Sequence, residues 1–147
     1  PDEIIINLFF NACAQLGTLE ALNLVNKISN EIPKSFHSNP LLIASLLDAL
    51  MKCGDTKQAK SLFDKTTNKT IQMYGAMMNG FNLENKPLNT LDLFNKMKVD
   101  NIKANIIIFH CVIRALSQTA DYKLSQSTIE QIPNYFFDNN HIQYALI

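Results

Sequence analysis

Apolar residues recur along this chain with helical spacing, and one short pattern of apolar and polar positions returns four times. Each copy has two or three apolar residues, then one polar, one small and one apolar residue. The copies lie at 8–13, 45–50, 76–81 and 111–116. Because apolar side chains three and four residues apart share one helical face, the pattern predicts amphipathic helices that recur in a regular series.

Each repeat is predicted to contain two helices. The first helices are expected over residues 4–16, 40–52, 71–84 and 106–118, and the second over 18–29, 56–66, 87–98 and 120–131. Gly17 and Gly54 stand where a helix would end in a left-handed cap, and Asp55 has capping-box spacing to Gln58. Pro40 suits the first turn of a first helix, and Pro87 suits the first turn of a second helix.

These hairpins are too short to bury their apolar faces alone, so neighbouring hairpins must stack. The sequence therefore predicts an all-α fold, a single α-solenoid of stacked helix-turn-helix repeats. The repeats are placed at about 3–39, 40–70, 71–105 and 106–140, with a partial fifth repeat at 141–147. Since the series starts and stops in mid-phase, further repeats are expected in the same chain.

The first and fourth repeats share a tail that the others lack. The sequence Ile-Pro-x-x-Phe stands at 32–36 and again at 132–136. An array whose repeat types cycle with a period of three would produce this recurrence.

Composition excludes several classes of site. The chain has 13 basic and 13 acidic residues, so the cationic surplus typical of tight nucleic-acid binding is absent. Cys13, Cys53 and Cys111 lie far apart with no Cys-x-x-Cys pair or Cys/His cluster, which predicts neither a metal site nor a disulfide framework. We expect them to fill the core, and we expect no cofactor.

Membrane insertion and catalysis are also not expected. The longest uncharged stretch, 4–19, is too short and too polar for a membrane span. A Gly-rich phosphate loop, a carboxylate pair and a nucleophile beside a base are all lacking, so no enzyme is predicted.

Three short segments identify a known family of repeats. Ala-Cys-Ala-Gln-Leu-Gly at 12–17, Met-Lys-Cys-Gly-Asp at 51–55 and Ala-Lys-Ser-Leu-Phe-Asp at 59–64 resemble pentatricopeptide repeats. The variable unit length is similar to the long, short and standard triplets of one subclass, whereas tetratricopeptide repeats keep a steadier length and favour an early Trp, which this chain lacks. The resemblance implies a right-handed, tetratricopeptide-like superhelix. It also implies sequence-selective binding of single-stranded RNA, one base per repeat, in organelle RNA processing, stability or editing. The expected compartment is the mitochondrion, with the cytoplasm as the alternative.

The resemblance also assigns roles to residues. The base is read by one residue of the first helix and by the last residue of the repeat, while an aliphatic side chain near the helix start packs on the base plane. The base-reading candidates are Asn7, Asn39, Ala44, Thr70, Gly75, Asn105, His110 and Asn140, and the base-packing candidates are Ile4, Leu41, Gln72 and Ile107. Lys52 is the candidate for a phosphate contact.

These positions differ in the hydrogen bonds that they can offer to a base. The Asn7 and Asn39 amides fit a pyrimidine, whereas Ala44 and Gly75 have no side-chain hydrogen bond to offer. The asparagines that end repeats also suit helix caps. The alternative function is therefore a protein-interaction scaffold that keeps the solenoid but has lost base reading, with other proteins as its partners.

Overall fold

The computed structural model describes residues 2–138, and the regular secondary structure in this range is all helical, without a strand. The helices in chain order are α1 (Glu3–Leu16), α2 (Leu19–Glu31), a 3-10 helix (Lys34–Ser38), α3 (Pro40–Lys52), α4 (Thr56–Lys65), α5 (Ile71–Leu83), α6 (Pro87–Val99), α7 (Ile106–Gln118), α8 (Tyr122–Ile129) and α9 (Asn134–Phe137). The all-α helical-repeat class is thus confirmed. All eight predicted helices are present, with bounds that differ from the expected ones by at most two residues. Asn140 and the partial fifth repeat lie outside the described residues.

Polar side chains define most helix starts. Seven residues accept a hydrogen bond from a backbone N–H in the first turn of the helix that follows, and they are Asp2, Thr18, Asn39, Asp55, Thr70, Asn105 and Asp121. Such caps satisfy N–H groups that have no partner within the helix. Pro40 and Pro87 occupy the first helical turn, as predicted.

Left-handed residues end the helices at the turns. Gly17 caps α1 with φ of 59°, and Gly54 follows α3 with φ of 93°. Asn85 and Asn101, which sequence reasoning did not single out, adopt φ of 56° and 57° after α5 and α6. Asn tolerates this conformation better than other non-glycine residues, so it replaces glycine at these two turns.

The chain forms two compact units, Pro1–Gly80 and Phe81–Ile147, and the boundary falls within α5. In the first unit, α1 lies alongside α3, and each of them packs against the second helix of its own hairpin. Phe10, Leu47 and Phe63 are buried in this core. The rings of Phe63 and Tyr74 meet edge to face with centroids 5.0 Å apart.

In the second unit, α6 packs against α7. Three aromatic rings form a chain through this core, since Phe109 lies 6.4 Å from Phe94 and 5.2 Å from Phe136. Asn82 is also buried here, and its amide bonds to the hydroxyl of Thr90 and to a carbonyl of α7. A buried amide is tolerated because both of its ends are hydrogen-bonded.

The shared tail of the first and fourth repeats forms the same local structure twice. In each copy the Pro carbonyl accepts a hydrogen bond from the Phe N–H three residues later, at 3.0 Å for Pro33 and Phe36 and at 3.0 Å for Pro133 and Phe136. The isoleucine before each proline is buried. These helical turns, the 3-10 helix and α9, were not predicted.

Candidate nucleic-acid interface

The residues expected to contact a base occupy equivalent positions in the four first helices. The packing candidates are the second residue of each helix, the first-helix readers are the fifth, and the repeat-ending readers come directly before the helix. The second residues are Ile4, Leu41, Gln72 and Ile107, the fifth are Asn7, Ala44, Gly75 and His110, and the preceding ones are Asn39, Thr70 and Asn105. Residues three apart lie on one helical face, so each packing residue shares a face with its reader.

Three of the four packing candidates are aliphatic side chains that the fold leaves in solvent. Ile4 is 67% exposed, Leu41 58% and Ile107 61%, and Gln72 is exposed as well. A single exposed aliphatic residue is ordinary, but recurrence at one helical position is a pattern. The first turns of these helices therefore present apolar surface that the described residues do not cover.

Asn39 joins the starts of α1 and α3. Its amide nitrogen donates to the Glu3 carboxylate at 2.7 Å, while its carbonyl oxygen accepts the N–H of Leu41 at 2.9 Å. Ile4, next to Glu3, therefore lies at the same end of this helix pair as Leu41. The predicted capping role of Asn39 is confirmed, and Asn105 caps α7 in the same way through the N–H of Ile108 at 3.0 Å.

Asn7 is held by a residue that sequence reasoning missed. The buried Ser45 hydroxyl, on α3, donates a hydrogen bond to the Asn7 Oδ1 atom on α1. Asn7 itself is half-buried. The sequence signal that could have found Ser45 is its position. It is the sixth residue of its helix, and the other first helices have Leu8, Ala76 and Cys111 there.

The remaining first-helix readers are less suited to polar contacts. Ala44 is buried at 8% exposure, and Gly75 is half-buried without a side chain. His110 is half-buried with its ring centroid 5.5 Å from that of Phe136, so it packs on an aromatic ring of the core. Thr70 is half-buried and its hydroxyl accepts the N–H of Met73 at 3.4 Å.

Lys52, the phosphate-contact candidate, ends α3 and pairs with Asp48 one turn earlier at 3.0 Å. The Lys52 side chain is 30% exposed, so its charge is accessible but partly compensated. The equivalent residues of the other first helices are Gln15, Leu83 and Gln118, and none is cationic. The C-terminal ends of the described first helices therefore offer little positive charge for a phosphate.

Burial keeps the cysteines protonated. It raises the pKa of the Cys13 and Cys111 thiols, and it raises the pKa of Cys53 with a smaller contribution from Cys13 and Asp48. Residues 2–138 contain no group of three His, Cys, Asp or Glu side chains that could hold a metal ion. Within the same range, no helix has the length and apolar character to cross a membrane.

Comparison with known proteins shows which type of repeat this chain is similar to. The family model described as PPR repeat matches residues 44–69 and 72–102. Two segments of the chain thus match the pentatricopeptide repeat. The matched segments run from the fifth residue of α3 to beyond α4, and from the second residue of α5 to beyond α6. Each pentatricopeptide match therefore covers one helical hairpin.

Three pentatricopeptide repeat-containing proteins of Arabidopsis thaliana illustrate the similarity. A chloroplastic one is 28% identical over 118 residues, which is 80% of this chain and 14% of the relative. A second is 28% identical over 148 residues, covering 99% of this chain and 18% of the relative. A mitochondrial one is 28% identical over 119 residues, covering 81% of this chain and 17% of the relative. The chain thus spans less than a fifth of the length of each of these relatives.

Proposed function

We propose that this chain binds single-stranded RNA at the first turns of its first helices, one base per pentatricopeptide repeat. The observation that carries the proposal is the recurrence of an exposed aliphatic side chain at the second position of α1, α3 and α7. In the first unit, Ile4 and Leu41 lie at the same end of the helix pair, and the bond between Asn39 and Glu3 joins the two helix starts. An apolar side chain on each side of a polar amide matches a nucleobase, which has apolar faces and a polar edge.

The repeat with the Asn7 and Asn39 readers is the one best equipped to discriminate between bases. Its two amides provide hydrogen-bonding groups of the kind that read a pyrimidine edge. The repeats with Ala44 and Gly75 as readers contribute packing but little selectivity, because neither residue has a polar side chain. We therefore expect selectivity to be concentrated at one base.

The affinity of this chain alone is expected to be low. If each competent base contact contributes about 1–3 kcal/mol, one complete repeat and three partial ones leave little after the cost of association, which corresponds to roughly millimolar binding. The ion pair of Lys52 with Asp48 and the zero net charge add little attraction for phosphates.

The names of the relatives support a proposal about the biological setting. Two of the relatives described above carry the words chloroplastic and mitochondrial in their names. We place this chain in the mitochondrion, in the processing, stabilisation or editing of transcripts, as a binding module without catalytic activity. Pentatricopeptide repeats on either side in the same protein would supply the missing affinity.

One alternative is favoured by a specific observation. The buried Ala44 and the half-buried Gly75 leave two successive repeats without a polar reader, as a protein-interaction scaffold would permit. The two functions predict different effects on RNA binding when an exposed leucine is replaced. A scaffold has no reason to prefer Leu41 over other exposed apolar residues.

The chain offers a matched pair of variants for this test. Leu41 and Leu88 are each 58% exposed, and each follows a proline that starts a helix, but Leu41 begins a first helix and Leu88 a second helix. An NMR-monitored titration with short single-stranded RNA at low salt should show binding that Leu41→Ala weakens several-fold and Leu88→Ala leaves unchanged. Equal effects of the two variants, or no RNA-dependent shifts, would reject the proposal and leave the scaffold.

A further inference from the structure

We infer that Ser45 determines which base the first repeat accepts, because its hydroxyl fixes the Asn7 amide with the nitrogen directed outward. This inference rests on the proposed RNA-binding function. It assigns to Ser45, a residue of the following repeat, the role of orienting a reader without touching the base. Ser45 is thus a positioning residue that sets specificity.

The first step of the argument is the state of the Asn7 amide. An amide group has two functional ends, a carbonyl oxygen that accepts and a nitrogen that donates two hydrogen bonds. Rotation by half a turn exchanges them, so a free Asn reads donors and acceptors equally well. In this structure the oxygen accepts the hydroxyl proton of Ser45.

The second step is that Ser45 is well placed to maintain this orientation. Ser45 is 8% exposed, so water competes poorly for its hydroxyl, while Asn7 is only half-buried and retains access to solvent. Turning the amide over would make the Ser45 oxygen accept from the Asn7 nitrogen, and the buried hydroxyl proton would lose the acceptor that Asn7 Oδ1 now provides. Since a buried hydroxyl proton without an acceptor is costly, the orientation with the nitrogen outward is preferred.

The second reader of this repeat has the same bias. The Asn39 carbonyl oxygen is occupied by the backbone N–H groups of Leu41 and Leu42, and its nitrogen donates to Glu3. Any further hydrogen bond from Asn39 to a ligand would use the second proton of its nitrogen. Both amides of the repeat therefore offer donors.

Donors at both positions distinguish the two pyrimidines. The Watson–Crick edge of cytosine has two adjacent acceptors, N3 and O2, whereas uracil has a donor, the N3 proton, between its two acceptors. A nitrogen facing that uracil proton makes no hydrogen bond, and the proton loses its partner in water. The first repeat should therefore select cytosine over uracil.

The positions of Asn7 and Ser45 in the repeats agree with a joint role. Among the four described first helices, a polar sixth residue occurs only in α3, and the helix before it is the one whose fifth residue is Asn. The sixth residues elsewhere, Leu8, Ala76 and Cys111, have no oxygen to orient a neighbouring reader. The polar pair thus occurs where a reader with two functional ends needs to be fixed.

The test is a titration of the 147-residue chain with cytidine and uridine hexamers, followed through the side-chain NH₂ resonances of Asn7, which are assigned by their loss in Asn7→Ala. The chain should bind the cytidine hexamer more tightly by about fivefold, the value of one neutral hydrogen bond. Ser45→Ala should bring the ratio of the two affinities, cytidine to uridine, close to one, and it should shift the Asn7 resonances before RNA is added. The matched control is Ser61→Ala at an exposed position of α4, and it should leave the affinity ratio and the Asn7 resonances unchanged.

The outcomes separate the inference from the function on which it rests. A ratio that Ser45→Ala leaves unchanged, or RNA binding without a preference for cytidine, overturns the role of Ser45 and leaves RNA binding in place. Absence of any RNA-dependent shift overturns both. Circular dichroism and a melting curve identify a Ser45→Ala chain that fails to fold. In that case Ser45→Thr, which keeps the hydroxyl, replaces it. Its Asn7 resonances should match those of the unmodified chain, and it should keep the preference for the cytidine hexamer. Loss of the ratio in a folded Ser45→Thr chain also overturns the inference.

Discussion

At Gly80, α5 lies close against Met51 of α3, and replacing Gly80 with alanine tests the stacking of successive hairpins. A Cβ atom at Gly80 would lie 2.6 Å from the Cβ of Met51 and 2.5 Å and 2.9 Å from two further carbons of that side chain. Carbon atoms in optimal contact are about 3.5–4.0 Å apart. The Cε of Met51 can move aside, but its Cβ moves only with the α3 backbone.

Two opposing effects decide the stability of Gly80→Ala. Overpacking of a filled core costs about 1–3 kcal/mol. Alanine in place of glycine within a helix contributes up to about 1 kcal/mol in the opposite direction. We therefore expect the free energy of unfolding to fall by about 1–2 kcal/mol, which lowers Tm by about 2–8 °C for a chain of this size.

Urea unfolding followed by circular dichroism measures this change. The control is Asn95→Ala on α6, where an exposed Asn becomes Ala and only helix propensity changes. We expect that control to stay within about 0.5 kcal/mol of the unmodified chain. Stabilisation by Gly80→Ala of the size that propensity alone gives would refute the close approach of α5 and α3.

Three further predictions concern single residues. Asn82→Ala removes the hydrogen bonds to Thr90 at 2.8 Å and to the Cys111 carbonyl at 2.9 Å. It should lower the free energy of unfolding in urea by about 2–4 kcal/mol, and a decrease below about 1 kcal/mol would contradict the buried network. Asn39→Ala removes the cap of α3 and should cost about 1 kcal/mol in thermal unfolding, whereas unchanged stability would mean that the cap contributes nothing. Because burial raises the pKa of Cys111, its thiolate is scarce at pH 8, and iodoacetamide should modify it more slowly in the folded chain than in urea; equal rates would contradict its burial.

The helices were predictable because local signals agree with one another. Helical period, turn residues and capping side chains all divide the chain at the same points. At Gly54 and Asp55, for example, α3 ends and α4 begins where the sequence indicates. The 3-10 helix at Lys34–Ser38 was missed because five residues are too few to show a helical period. Its first turn is closed by the bond from the N–H of Phe36 to the carbonyl of Pro33, and its end by the bond from the N–H of Asn39 to the carbonyl of Phe36.

The candidate interface was predictable in position but not in detail. Helical spacing alone places Ile4 and Asn7 on one face, as it does Leu41 and Ala44. The bond between Asn7 and Ser45 joins residues 38 positions apart, so it depends on how α1 and α3 pack and on the side-chain rotamers. Helical period contains no information about either.

The proposal that RNA lies along the first turns of the first helices is tested most directly by photochemical cross-linking. A single-stranded RNA decamer containing 4-thiouridine is irradiated with the chain, and the attached residues are identified by mass spectrometry. The account predicts cross-links within residues 3–7 and 39–45, which a Leu41→Ala exchange reduces. Cross-links confined to α2 and α4, or a yield no higher than for unrelated proteins, would contradict it.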